Sequence, residues 1–152
     1  MRTRRVFLVL LVMLATGCVP RTAKSIAVGT LRPWPAGTAE VVDRESMCNS
    51  TGDNGPFMFR IVVLRGGGDL FGRIVGHARR RGFVPTAGPG PPYGETFRRD
   101  RTRIRVARGA DIIPTLRSDG PIAVERTLLN GVDLRDGDVV MRFELLREPG
   151  LC

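Results

Sequence analysis

Phe57-Met-Phe-Arg-Ile-Val-Val-Leu64, Gly66-Gly-Gly68 and Asp69-Leu-Phe-Gly-Arg-Ile-Val-Gly-His-Ala-Arg-Arg-Arg81 follow one another near the middle of the chain. The first piece is apolar, aromatic and β-branched, which predicts an interior strand. Three glycines break it. Asp69 then stands at an N-cap position, where its carboxylate can accept a bond from an orphan amide of the first helical turn. Leu70, Phe71, Ile74, Val75 and Ala78 recur at helical spacing on one face, with Arg73, His77, Arg80 and Arg81 on the other, and Gly82 stops the run. A strand feeding an amphipathic helix over 69–81 is therefore the nucleus of the fold.

Downstream, Phe83-Val84 starts a short strand, and 86–94 (TAGPGPPYG) is a loop that cannot be helical. Arg101–Ala107, Ile112–Leu116 and Ile122–Leu128 alternate in polarity, and Val139–Leu146 is a second apolar run, so all four read as strands. Ser118-Asp-Gly-Pro121, Asn130-Gly131 and Asp136-Gly137 supply turns between them. Upstream, Thr38–Asp43 is a weak strand, followed by the turn-rich Cys48-Asn-Ser-Thr-Gly-Asp-Asn-Gly-Pro56. The order strand, helix, meander predicts an α+β domain with one helix laid across a twisted, mostly antiparallel sheet. Residues 19–37 hold Pro20, Pro33 and Pro35 and read as a tether, although Ser25–Leu31 reads equally as an edge strand.

Of 152 residues, 24 are basic and 15 acidic, and every basic residue but Lys24 is arginine. With 19 glycines and 11 prolines, this skew is that of a GC-rich genome before it is a functional signal. One histidine and three cysteines exclude most metal clusters and any site built on two imidazoles. Met1-Arg-Thr-Arg-Arg5 is a basic leader to Val6–Ala15, ten residues with no polar side chain. As a helix these span about 15 Å, half of a bilayer's hydrocarbon core, so the segment reads as an export signal and not as a membrane anchor.

Leu14-Ala-Thr-Gly-Cys18 closes that signal and resembles the lipobox of bacterial lipoproteins. The resemblance implies a diacylglyceryl thioether on Cys18 and cleavage after Gly17. It divides the chain into a signal peptide (1–17), a lipidated N-terminus and tether (18–37) and a small domain (38–152). The expected location is the cell membrane, lipid-anchored, on the extracytoplasmic side, because two acyl chains give stable attachment where one is marginal. The wider arrangement is similar to that of small actinobacterial lipoproteins: lipobox, mid-chain cysteine, apolar strand, helix ending in Arg-Arg-Arg-Gly-Phe83, further strands, terminal cysteine. That likeness implies a location and a plan, and no activity.

Export leaves Cys48 and Cys152 as an even pair in an oxidising compartment, which predicts a disulfide, with free thiols or an intermolecular bridge as alternatives. Arg99, Arg101, Arg103 and Arg105 share parity and would line one face of an extended strand. They form a candidate contact surface for lipid headgroups, an anionic envelope polymer or a partner protein. The plainer reading, a solvated strand face, takes precedence. Export and scarce aromatics argue against nucleic acid.

Other features point away from catalysis. The Gly66–Gly68 loop fits no phosphate-binding pattern and lacks a Walker lysine. His77 has no nucleophile motif beside it and is expected to be solvated. Asp133, Asp136 and Asp138 do not match a calcium loop and read as a turn. The expectation is thus a binding or structural module without catalytic residues, metal or cofactor. The alternative is an envelope enzyme, or an enzyme accessory, with a site scattered along the chain.

Overall fold

The computed structural model describes residues 29–47, 56–88, 90–118 and 122–146. It is an α+β fold whose sheet has six strands in the order β1-β2-β6-β5-β4-β3, every neighbouring pair antiparallel. A helical turn, α1 (Gly29–Leu31), precedes β1 (Thr38–Met47) and β2 (Pro56–Gly66). Helix α2 (Leu70–Arg80) leads to β3 (Val84–Thr86), β4 (Glu95–Arg99) and β5 (Thr102–Arg108). Two short helices, α3 (Gly109–Arg117) and α4 (Ala123–Leu128), connect β5 to β6 (Val139–Leu146). β6 is inserted between β2 and β5, so the two longest apolar strands lie side by side.

Helix α2 forms as its sequence dictates. The Asp69 carboxylate accepts the Gly72 amide at 2.9 Å. At the other end Gly82, at φ +82°, lets the Phe83 amide reach the Ala78 carbonyl (3.1 Å) and its own amide reach Arg79 (3.0 Å). This paired closure needs the left-handed conformation that glycine adopts at least cost. Leu70, Ile74, Val75, Ala78 and Phe83 pack with Val62, Leu64, Ile104, Val106, Met141 and Phe143 on one sheet face.

The opposite face is covered too, which corrects the expectation of a single helix. The segments 112–116 and 122–128, read as strands, are helices α3 and α4. Apolar residues four apart, such as Ile112 and Leu116, satisfy both a two-residue and a 3.6-residue period, so alternation there was ambiguous. Ile112, Ile122, Leu128 and Leu129 bury against Ile61, Val63, Ala107 and Val140. The turn at 136–138 caps α3 with main-chain carbonyls: Asp138 accepts from Gly109 at 2.7 Å and Asp136 from Ala110 at 3.2 Å.

The fold also begins before residue 38. Leu31 is fully buried in the α2-side core and Trp34 packs against it. Residues 31–37 run alongside α2, from its C-terminal end to its start. His77 bonds the Leu31 carbonyl (2.7 Å), Arg81 donates to Arg32 O (3.4 Å), and Arg73 donates to Ala36 O (2.8 Å). His77 is therefore buried and not solvated. Because a carbonyl only accepts, its Nε2 carries the proton. Leu31→Ala should cost about 2–4 kcal/mol, as for other fully buried leucines, measurable as a shift of the urea midpoint. A loss under 0.5 kcal/mol would show residues 29–37 to be a loose tether.

Candidate functional site: the arginine-bearing sheet face

The four-arginine stripe is broken by a turn. β4 ends at Arg99 and β5 begins at Thr102, with Asp100 between them at φ +51°. Arg99 therefore lies on the α2 side, where it donates to the Arg81 carbonyl at 2.7 Å. Arg101 sits in the turn and donates to the Leu146 carbonyl through Nε (3.3 Å) and Nη2 (3.1 Å). Arg103 and Arg105 alone share the intended face. Across the ladders they meet Arg98 and Thr96 on one side, Glu144 and Arg142 on the other.

Glu144 organises this face. It is fully buried and takes three guanidinium groups: Arg103 on Oε2, Arg105 on Oε1 (3.2 Å) and Arg142 on Oε1 (2.8 Å). A second fully buried carboxylate, Glu125 of α4, receives Arg142 Nη1 at 2.5 Å and the Tyr93 hydroxyl. Aromatic rings line the cations, with Phe59 4.3 Å from the Arg142 guanidinium and Tyr93 5.8 Å from that of Arg105. Three arginines and two glutamates thus share one low-dielectric layer, with a nominal surplus of one positive charge.

The electrostatics follow from that crowding. Burial lowers the Arg105 pKa, and the neighbouring Arg142 and Arg103 push the same way against the pull of Glu144. Burial also opposes charge on Arg142, but Glu125, by its charge and hydrogen bond, outweighs it and holds that guanidinium above its ordinary value. Burial and the adjacent Glu125 raise the Tyr93 phenol, so it remains a protonated donor. What the arrangement does is tie α4 and the 90–94 loop to the sheet through charge-assisted bonds.

A smaller cluster lies on the other face, between β1, β2 and the 32–34 segment. Arg60, 1% exposed, pairs with Asp43. Arg32 joins Asp43 at 3.2 Å and donates to Glu40 at 3.1 Å, while the Trp34 indole donates to Glu40 at 2.8 Å. The Glu40 hydrogen bond raises the Arg32 pKa against the opposing effect of burial. Neither cluster was foreseen. A signal existed in β6, where Arg142 and Glu144 interrupt an apolar strand two residues apart, on one face.

The remaining candidates resolve into structural parts. Gly66 is tightly packed, since a Cβ there would stand 2.7 Å from the Gly37 carbonyl, and Gly67 O accepts from Arg73 at 2.8 Å. The glycine loop is a joint. Asp138 is buried and receives two bonds from Arg65, both 2.8 Å, and one from the Arg135 amide at 2.9 Å. Asp133 lies 3.5 Å from Arg135. Among the described residues no group of three or more potential ligands could hold a metal ion.

Burial alone would raise the Asp138 carboxyl, but the Arg65 bonds and the Arg135 amide prevail and hold it below its ordinary 3.8. A carboxyl lower in the folded than the unfolded chain adds stability above pH 3.8 that is lost as pH falls through the folded value. Asp138→Asn should therefore lower the melting temperature at pH 7 and narrow the gap from the parent below pH 3. A constant gap between pH 7 and pH 2.5 would refute this role.

Among the described residues are two open recesses, the first reaching Tyr93 of the polar layer. One, about 420 Å³, is lined by Pro91, Pro92, Tyr93, Gly94, Ala110, Asp111 and Pro114. The other, about 200 Å³, is lined by Ser46, Ala123, Val124, Thr127 and Leu128. Neither gathers converging polar side chains. Cys18, Cys48 and Cys152 lie outside the described residues. No protein-family model, curated protein or solved structure matches this chain.

Proposed function

We propose that this chain is an extracytoplasmic lipoprotein, held on the cell membrane by acyl chains on Cys18 and acting there as a binding or structural module. The observation that carries the reading is Leu14-Ala-Thr-Gly-Cys18, closing a ten-residue apolar run (Val6–Ala15) with three arginines before it. The fold supports the second half of the reading. Glu144 lies in ion-pair contact with three arginines, and Glu125 accepts from Arg142 and Tyr93. An anionic partner suits the excess of arginine on the outer surface. Among the described residues no helix is long and apolar enough to cross a membrane.

The test is fractionation of cells producing the parent or Cys18→Ala chain, fed a clickable fatty acid. The parent should carry the label and sediment with membranes, and Cys18→Ala should lose the label. A Cys18→Ala protein that stays membrane-bound with its signal removed would overturn the reading.

A further inference from the structure

One end of the domain joins two features that the sequence keeps apart. Arg79 and Arg80, at the C-terminus of α2, are exposed, as are Arg98 and Arg99 at the β4–β5 turn. The two groups are linked, since Arg99 donates to the Arg81 carbonyl at 2.7 Å and Arg79 lies 6.0 Å from the centre of the Phe97 ring. Arg98, which leaves β4 on the other sheet face, donates from Nε to the Asp100 carbonyl of the same turn at 3.1 Å. Asp100, in the same turn, is the acidic residue set among them. The described chain also starts at this end: Arg81 donates to Arg32 O, and His77 bonds Leu31 O. Gly29 is thus two residues from the anchor point on α2, and eleven residues from Cys18.

We propose that this end, carrying Arg79, Arg80, Arg98 and Arg99, docks on anionic phospholipid headgroups. The proposal rests on the lipoprotein reading for its biological setting, because an acylated Cys18 would deliver this end to the bilayer. Eleven residues reach at most about 40 Å when fully extended. That is close to the diameter of a compact domain of this size, with a radius of gyration near 13 Å. Presenting the opposite end to the membrane would stretch the tether along the whole domain. Presenting the basic end needs no such detour. Attraction acts within a Debye length of about 8 Å at physiological salt, so a short tether holds these charges where they count. Arg103 and Arg105 take no part, because Glu144 already engages them.

The experiment uses the mature chain with Cys18→Ser, so that no acyl chain contributes. It is mixed with vesicles of phosphatidylcholine alone or with 30% (~one lipid in three) phosphatidylglycerol, across a salt series. Each arginine near an anionic surface is worth about fivefold in binding. The parent should bind the anionic vesicles alone and weaken as salt rises. Arg80→Gln with Arg98→Gln should bind at least ~10-fold more weakly, by that same per-charge effect. Arg80→Lys with Arg98→Lys should keep the parent's binding. Arg108→Gln with Arg135→Gln removes equal charge from the opposite ends of β5 and β6 and should change binding by less than about threefold, as a long-range effect screened by salt. Melting curves matching the parent's establish that the glutamine pairs are folded. Equal association with both vesicle types, or equal losses in both glutamine pairs, would overturn the proposal. Such failure leaves Cys18 acylation untouched, since the tested protein lacks it.

Discussion

Glu144→Ala is expected to destabilise the domain by about 3–5 kcal/mol, because it strips a buried carboxylate from three guanidinium groups. Set against the 5–15 kcal/mol that holds a typical domain together, such a loss leaves a marginal protein. The burial of each partner decides the rank order. Glu144 is 0% exposed, whereas the Arg103 side chain is 31% exposed and can turn into water. Arg103→Ala should consequently cost about 1 kcal/mol or less, near the value of an exposed pair. Glu144→Gln keeps the shape but only one acceptor oxygen and none of the charge, and turns an amide donor toward a guanidinium, so it should fall between the two. Urea unfolding of the three variants gives the comparison directly. Equal midpoints for Glu144→Ala and Arg103→Ala would show that the face is solvated and that Glu144 does not organise it.

The second large effect concerns Cys48 and Cys152. Removing either is expected to cost about 2–5 kcal/mol, as for the loss of a native disulfide in a small secreted domain. The described strand ends set the distance that such a bridge would have to span. Met47 is opposite Met58 on one side of β2, and Leu145 is opposite Met58 on the other. The ends of β1 and β6 therefore flank β2 at the same edge of the sheet, about 10 Å apart at ordinary strand spacing. Cys48 directly follows Met47, and Cys152 comes six residues after Leu146, a length that can span up to about 20 Å. Cys48→Ser and Cys152→Ser should each lower the melting temperature of exported protein by several degrees. The double variant should match either single, since both remove the same bond. Two thiols open to alkylation in the native exported protein, or additive losses in the double variant, would rule the bridge out.

How far the sequence could be read depended on how many interpretations each segment allowed. β2, α2 and β6 were legible because long apolar runs, an N-cap carboxylate and a glycine at φ +82° all agree with the final fold. The 109–128 stretch was not. Its inner face carries a glutamate, Glu125, where a helical reading wants an apolar residue, and residues four apart fit two periods equally. The arginine stripe failed for a local reason. Parity aligns Arg99 with Arg105 only if the backbone stays extended, and the turn at Asp100 sends Arg99 to the other side. The buried network was hidden because its members come from α4, β5, β6 and the 90–94 loop, and only the folded sheet brings them together. Leu31 was hidden by its neighbours, since prolines and small residues around it mimic a linker.

Mass spectrometry of the N-terminal peptide from the membrane fraction tests directly whether the mature chain begins with a lipid-modified cysteine. The expected peptide starts at Cys18, carries a diacylglyceryl thioether and lacks residues 1–17. A peptide that retains Met1, or one that starts at Cys18 or later with an unmodified thiol or none, would rule out lipid attachment at Cys18.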